Sequence, residues 1–214
     1  RLGQLLIELG KFEKGEEVYM MLLDQTNTQK DRSVFYQQLA RIKRAQGNHK
    51  KAIEYYERAL EIAKRTSPPN QTELAALYHN MAVVYCSTAE YSKALSFNKE
   101  ALDIWKRTLK SDDYRLANCY NNIGNIYLSM GEYEKALSYY EKSLTIKQKT
   151  LPSNHPNVAS SYNNIGLVYY SMGEYQKALS SQEKALDIRK RSLPLNHPEL
   201  STSYNNIGNI YKKG

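Results

Sequence analysis

Five tyrosines stand at intervals of 42 residues, and the sequence around them repeats as well. The segment YNNIGNIYLSMGEYEKALSYYEKSL begins at Tyr120, and YNNIGLVYYSMGEYQKALSSQEKAL begins at Tyr162. A repeat of this length is typical of a solenoid, in which each unit buries its apolar face only against its neighbours. Solenoids present an extended surface rather than a catalytic pocket, so the period favours a binding function. The five residues are Tyr36, Tyr78, Tyr120, Tyr162 and Tyr204.

The unit from Asn157 to Leu193 predicts two helices. In its first half, apolar residues recur at steps of three and four, as one face of a helix requires. Pro156 suits the first turn of that helix, and Gly173 can adopt the left-handed conformation that ends it. The second helix is expected from about Glu174 to Arg191, and Pro194 closes it. The sequence therefore predicts antiparallel helix pairs, one pair to a repeat.

Small residues recur where the two helices of a unit are expected to cross. Glycine in the middle of a helix costs roughly 1 kcal/mol relative to alanine, so its repetition needs a packing reason. We expect the partner helix to approach closely at these positions. They are Gly124, Gly166 and Gly208 on the first helices, matched by Ala52, Ala94, Ala136 and Ala178 on the second.

These residues resemble the tetratricopeptide repeat, whose pattern is an aromatic residue, L-G-x2-Y, then A-x3-F, A and P. Tyr120, Ile123, Gly124 and Tyr127 fit the first half of the pattern, and Ala136, Tyr140 and Leu144 fit the second. The 42-residue period is similar to that of the kinesin light chain subclass, and the Leu-Gly-Asn repeats of cell-polarity adaptors are a close second. The resemblance implies an all-α, right-handed superhelical solenoid of antiparallel helix pairs. We expect one repeat domain over 1–214, a fragment of a longer chain, with units at about 1–30, 31–71, 72–113, 114–155 and 156–197 and a partial unit at 198–214.

The net charge of +8 raises the question of nucleic acid, and the position of the charges argues against it. Basic residues recur near the predicted C-terminal end of the second helix, where they complement the helix dipole. Nucleic-acid binding is therefore not expected. No apolar run is long enough to suggest a membrane span, and two cysteines make no disulfide framework, so a cytoplasmic setting is expected. The charges in question are Lys64, Arg65, Lys106, Arg107, Lys147, Lys149, Arg189, Lys190 and Arg191.

Amide side chains follow the repeating tyrosines, and the resemblance places them on a concave face built from first helices. A carboxamide both donates and accepts hydrogen bonds, so it can pair with any peptide backbone. The alternative is that these amides bond neighbouring helices or loops. The residues are Gln38, Asn80, Asn122, Asn164 and Asn206 two positions on, and His79, Asn121, Asn163 and Asn205 one position on.

Residues further along the first helices differ between units and are expected to give specificity. Arg41 and Arg44 make the second unit cationic, Asn125 stands in the fourth, and the middle units carry apolar residues. Such a groove suits an extended acidic peptide with an aromatic or apolar anchor, as in the cargo peptides of kinesin light chains. The alternative is that both arginines are simply solvated.

No catalytic, cofactor or metal site is expected. The four histidines are scattered, and His155 and His197 precede prolines at helix starts, where capping is the ordinary role. The sequence therefore predicts a peptide-binding scaffold or adaptor. Two alternatives stay open: a regulatory or targeting region of a larger enzyme, such as an ADP-ribosyltransferase or nucleotidase, and a structural array that self-associates through open repeat ends.

Overall fold

The protein is all-helical in the computed structural model, which describes residues 2–66 and 68–213, and no strand occurs in these residues. The helices alternate between first and second members of antiparallel pairs, and within α1 to α6 and within α7 to α11 each helix contacts its neighbours in the sequence. Their bounds are α1 Leu2–Glu8, α2 Phe12–Gln25, α3 Gln29–Ala45, α4 His49–Arg65, α5 Gln71–Ser87, α6 Tyr91–Thr108, α7 Tyr114–Ser129, α8 Tyr133–Thr150, α9 Pro156–Ser171, α10 Tyr175–Ser192 and α11 Pro198–Tyr211.

The chain forms two compact units. The first ends at Thr108, with α6, and the second begins at Leu109 and contains α7 to α11. Within each unit the strongest packing is inside a helix pair, and the second helix of one pair then packs against the first helix of the next.

Helix ends follow local chemistry. The imidazoles of His155 and His197 accept hydrogen bonds from the backbone N–H groups of Asn157 and Glu199, at 3.1 and 3.3 Å, so both histidines are caps. The turn between helices takes a positive φ, 75° at Gly173. Ala89 stands at the same place in α5–α6 and adopts φ 59°, a conformation that alanine rarely takes.

The small residues lie where the helices of a pair cross, as the repeat predicts. A Cβ added to Gly124 would come within 2.8 Å of the Tyr140 ring, and one added to Gly166 within 2.7 Å of Gln182 Nε2. The four repeating alanines of the second helices are fully buried. At Gly124 and Gly166, glycine is therefore required because a side chain of the partner helix occupies the space that a Cβ would take, whereas a Cβ at Gly208 would meet nothing within 4 Å.

All nine cations predicted near the C-terminal ends of second helices lie in the last turn there, but two of them are also buried. Arg189 is 5% exposed and pairs with Glu199 at 3.0 Å and with the Ser203 hydroxyl at 2.6 Å. Lys147, at the same repeat position, is 8% exposed and donates to the Ser161 hydroxyl at 2.9 Å. The position faces the first helix of the following pair, so a cation here lies in the core between repeats.

No helix in the described part of the chain is both long and apolar enough to cross a membrane.

Candidate functional site

The residues predicted to bind a ligand lie on first helices and are partly accessible. They occupy α3, α5, α7, α9 and α11, and the second helices carry none of them. Asn205 is exposed, and the others are half-buried: Gln38, Arg41, Arg44, His79, Asn80, Asn121, Asn122, Asn125, Asn163, Asn164 and Asn206.

Asparagines of the compact unit that begins at Leu109 bond one another between successive first helices, and we call this series of bonds the ladder. Asn164 on α9 donates from Nδ2 to Asn121 Oδ1 on α7, at 3.2 Å. One repeat further, Asn206 on α11 donates to Asn163 Oδ1 on α9, at 3.0 Å. In each rung, the residue two positions after a repeating tyrosine bonds the residue one position after the previous tyrosine. The ladder therefore has the structural role that the alternative interpretation assigned to these residues.

The ladder leaves part of each amide unused. Asn121 accepts through Oδ1, and both N–H groups of its amide have no side-chain partner among the described residues. Asn164 donates through Nδ2, and its Oδ1 likewise accepts no other bond there. Because a carboxamide has two donors and an acceptor, each rung fixes the amides in place and still offers donors and an acceptor.

Asn125 has a different neighbour. The buried Tyr140 of α8 donates its hydroxyl to Asn125 Oδ1 at 2.6 Å. The bond crosses the same helix pair in which Gly124 makes room for the tyrosine ring. Asn125 is therefore held by its own repeat rather than by the ladder.

In the compact unit that ends at Thr108, Arg41 and Arg44 lie on α3 without a carboxylate partner among the described residues. Arg41 donates to Gln38 Oε1 at 2.9 Å and to Gln4 Oε1 on α1 at 3.3 Å. Its charge is thus held in position by neutral amides and remains available to an anion. Arg44 lies one turn further along α3, half-buried, and its charge acts on both Tyr56 and His79.

The half-buried His79 forms a polar contact with the second helix of its own pair. Its Nδ1 lies 3.1 Å from Asn98 Oδ1 and, because that oxygen only accepts, the ring nitrogen donates. Burial lowers the pKa of His79 below its ordinary value, the hydrogen bond to Asn98 opposes this, and the Arg44 charge adds to the lowering. The neutral imidazole therefore joins α5 to α6.

Sequence reasoning did not find Gln4, which holds Arg41, or the second-helix residues that support the first-helix face. The second-helix set occupies one repeat position and is fully buried, at most 1% exposed: Tyr56, Asn98, Tyr140 and Gln182. The sequence could have revealed this set, because its members stand 42 residues apart and the residue type changes from each unit to the next. Because this buried position alternates between tyrosine and a carboxamide, the interior packing of otherwise similar repeats differs there.

Two recesses lie away from the predicted residues, at equivalent places in successive repeats. One, of about 470 Å³, is lined by Tyr162, Lys184 and Arg191 among others, and the other, of about 380 Å³, by Tyr120, Lys142 and Lys149. None of the twelve predicted site residues lines either recess. Across the described residues, no group of three histidine, cysteine or acidic side chains is placed to hold a metal ion.

Comparison with known families gives one match, to the family model described as tetratricopeptide repeat. The match recurs over residues 1–65, 30–107, 73–149, 116–191 and 157–214, so it spans the chain in overlapping copies. Among curated protein sequences, none matches the chain.

Solved structures of helical repeat proteins are similar to this chain. BtubC (BKLC) from P. vanneervenii superposes with a TM-score of 0.80 at 25% identity, covering 95% of this chain and 82% of that one. A kinesin light chain-like protein of Podosopora anserina with nearly identical TPR-like repeats gives 0.75 at 22% identity, covering 88% and 89%. The apo form of RapI gives 0.77 at 21% identity, covering 94% and 54%.

Proposed function

Because the chain belongs to the tetratricopeptide repeat family, a family of protein-interaction scaffolds, we propose that it binds an extended peptide segment of a partner protein across its first helices. The role is that of a non-catalytic scaffold or adaptor. We place it in the cytoplasm, where thiols stay reduced, since neither Cys86 nor Cys119 forms a disulfide in the described residues.

The observation that carries the proposal is the asparagine ladder of the second unit. The bond between Asn121 and Asn164 orders two half-buried amides on neighbouring first helices, and both retain unused hydrogen-bonding groups. Ordering in advance lowers the entropy that a ligand must remove on binding. The structural and the ligand-binding interpretations of these asparagines are therefore compatible.

The spacing of the rungs suits an extended chain. Packed helices stand roughly 8 to 10 Å apart, and an extended peptide rises about 3.3 Å per residue. One rung then meets the ligand at about every third residue, where its amides can pair with backbone groups whatever the ligand side chains are.

Charge supports an acidic ligand. Arg41 and Arg44 lie three residues apart on α3, and neither is neutralised by a carboxylate of the described residues. An ionised ligand group bound there would form charge-assisted hydrogen bonds with a guanidinium that is already positioned by Gln38. Other first helices carry half-buried apolar residues that offer contacts to an apolar anchor: Val83 on α5, Leu128 on α7 and Leu167 on α9.

The test begins with random 16-residue peptides displayed on phage and panned on the immobilised chain. Retained peptides are expected to be rich in Asp and Glu, and their binding is then measured by fluorescence anisotropy. Asn121→Asp with Asn163→Asp keeps both ladder acceptors but removes the free N–H groups. Each lost contact is worth roughly 0.5–1.5 kcal/mol, so the pair should weaken binding about tenfold, with helicity and Tm unchanged.

Two controls distinguish the loss of hydrogen-bond donors from the effect of the changed charge. Raising salt screens the added carboxylates but does not restore the lost donors, so the defect should persist at about 0.5 M salt. Arg41→Glu with Arg44→Glu should remove most binding, whereas Lys50→Glu with Lys51→Glu, on the exposed start of α4, makes the same change of charge and should remove little. Equal losses in the two charge reversals would indicate a diffuse field instead of a site and would count against the proposal.

A further inference from the structure

A small cavity opens beside the ladder in the second unit, among α9, α10 and α11. Its volume is about 50 Å³, and its lining includes Leu167, Tyr170, Gln182, Asn209 and Ile210. Asn209 is exposed and Tyr170 half-buried, so the cavity meets the surface on the first-helix side. Asn206, which forms the second rung of the ladder, also lines it.

The cavity arises from one repeat position. In the preceding repeat, Tyr140 fills the corresponding place with its ring against Gly124 and its hydroxyl on Asn125. In this repeat Gln182 stands at the position of Tyr140, and Leu167 at the position of Asn125. Gly166 still leaves room for a large side chain, but a glutamine has no ring. The substitution therefore leaves space where the neighbouring repeat is filled.

Gln182 has an acceptor without a donor. It is 1% exposed, and its Nε2 donates to the backbone oxygen of Asn163 at 3.1 Å, which distinguishes the nitrogen of the amide from its oxygen. Its Oε1 is buried and has no hydrogen-bond partner among the described residues. Buried polar atoms are nearly always paired in folded proteins, so an unpaired oxygen on a residue that lines a cavity indicates a group supplied from outside.

We propose that this cavity receives a threonine side chain of the bound peptide, whose hydroxyl donates to Gln182 Oε1. The inference rests on the proposed function and names one residue type of its ligand. Because Oε1 is itself buried, the donor reaches it after a small rotation of the amide about its last, broad torsion. The threonine methyl group then contacts Leu167 and Ile210.

Size and chemistry together select this side chain. A water molecule needs at least about 10–15 Å³ of cavity volume, so a cavity of about 50 Å³ accommodates about three to five non-hydrogen atoms. The side chains of threonine and valine each have three non-hydrogen atoms, but valine has no hydrogen-bond donor. The tyrosine side chain is too large. Serine brings the donor without the methyl group that the apolar walls favour.

The experiment uses two pools of biotinylated 13-residue peptides that differ only at the central position, which is threonine or valine. The flanking positions are an equal mixture of Asp, Glu, Asn, Leu and Phe, so no other hydroxyl is present. Each pool is passed over the immobilised full chain, and the retained peptide is measured after elution. The threonine pool should be retained about tenfold better than the valine pool, as one hydrogen bond to a buried acceptor allows.

Two variants locate the preference. Gln182→Met keeps the length of the side chain but removes the acceptor, and Gln182→Tyr fills the cavity with the residue already used at Tyr56 and Tyr140. On either variant the ratio of threonine to valine retention should fall to about one. Gln182→Tyr is expected to fold, since Gly166 offers the same room as Gly124.

The outcomes that overturn the inference are distinct from failure of the proposed function. If the chain retains neither pool above the bare support, the proposed function fails and the threonine site fails with it. If both pools are retained equally, peptide binding stands and the threonine site is wrong. If the preference survives in both variants, it arises elsewhere on the chain, and the assignment to Gln182 is wrong.

Discussion

At the scale of single residues, the same repeat position can hold very different charges. The second helices place Ala63, Trp105, Lys147 and Arg189 at intervals of 42, and all four are buried. Arg189 has the Glu199 carboxylate, whereas Lys147 has only the Ser161 hydroxyl among the described residues. A cation that is buried without an anion destabilises the fold, because desolvation favours its neutral form.

Replacing Lys147 should therefore stabilise the protein, and replacing Arg189 should not. Burial lowers the pKa of Lys147, so the folded state disfavours the charged form, and folding carries this cost at any pH below the folded pKa. Lys147→Met is expected to raise the free energy of unfolding by about 1 kcal/mol. Arg189→Met loses a charge-assisted pair and should lower it by about 2 kcal/mol. Urea denaturation of both variants checks this, and a loss of stability in Lys147→Met would contradict it.

His79 should make stability depend on pH. Its folded pKa lies below the ordinary 6.5, chiefly because it is buried, so the unfolded chain binds a proton more readily. Stability should therefore fall as pH drops from about 6.5 through the folded pKa. In His79→Gln, which can still donate to Asn98, the loss between pH 7.5 and pH 5.5 should be smaller, as measured by urea denaturation at each pH. Equal losses in the two proteins would mean that other groups cause the dependence.

At the scale of helices, a matched pair of glycines tests the packing of a helix pair. A Cβ at Gly124 would come within 2.8 Å of the Tyr140 ring, but one at Gly208 meets nothing within 4 Å. Gly124→Ala is expected to destabilise by roughly 1–3 kcal/mol through overpacking. Gly208→Ala should stabilise by up to about 1 kcal/mol, since it removes only the conformational cost of glycine. Thermal melting of both variants decides; a Gly124→Ala melt at or above the wild-type Tm would show that the crossing is loose.

The helix pairs could be predicted from the sequence, because period, proline and glycine each act within a few residues. Gly173 ends α9 with a positive φ, and Pro156 begins it, as expected. The ladder could not be predicted, because its partners depend on how far one helix is shifted along the next. The sequence shows that Asn121 and Asn164 recur, but only the packed helices bring their amides within 3.2 Å. The burial of Arg189 was missed for the same reason: its place at a helix end does not reveal that the next helix covers it.

At the scale of the whole molecule, the two compact units should respond separately to a local change. Within each unit, helices contact their neighbours in the sequence, so the stability of a unit is a sum of local contributions. Gly124→Ala should therefore speed amide hydrogen exchange in the unit from Leu109 onward and leave the helices α3 and α4 unchanged. Exchange followed by mass spectrometry resolves the two units. Equal loss of protection in both would mean that the chain unfolds as a single cooperative body.

The changing residue at the position of Gln182 makes each 42-residue unit an exchangeable cassette. Copying residues 156–197 in tandem would set a second cavity one helix pair further on, a shift of roughly 8 to 10 Å. A ligand would then be read at threonines about three residues apart, since each residue of an extended chain advances about 3.3 Å. The order of the units would thus set the spacing of the threonines that the array recognises, with no change to the surface that binds the peptide backbone.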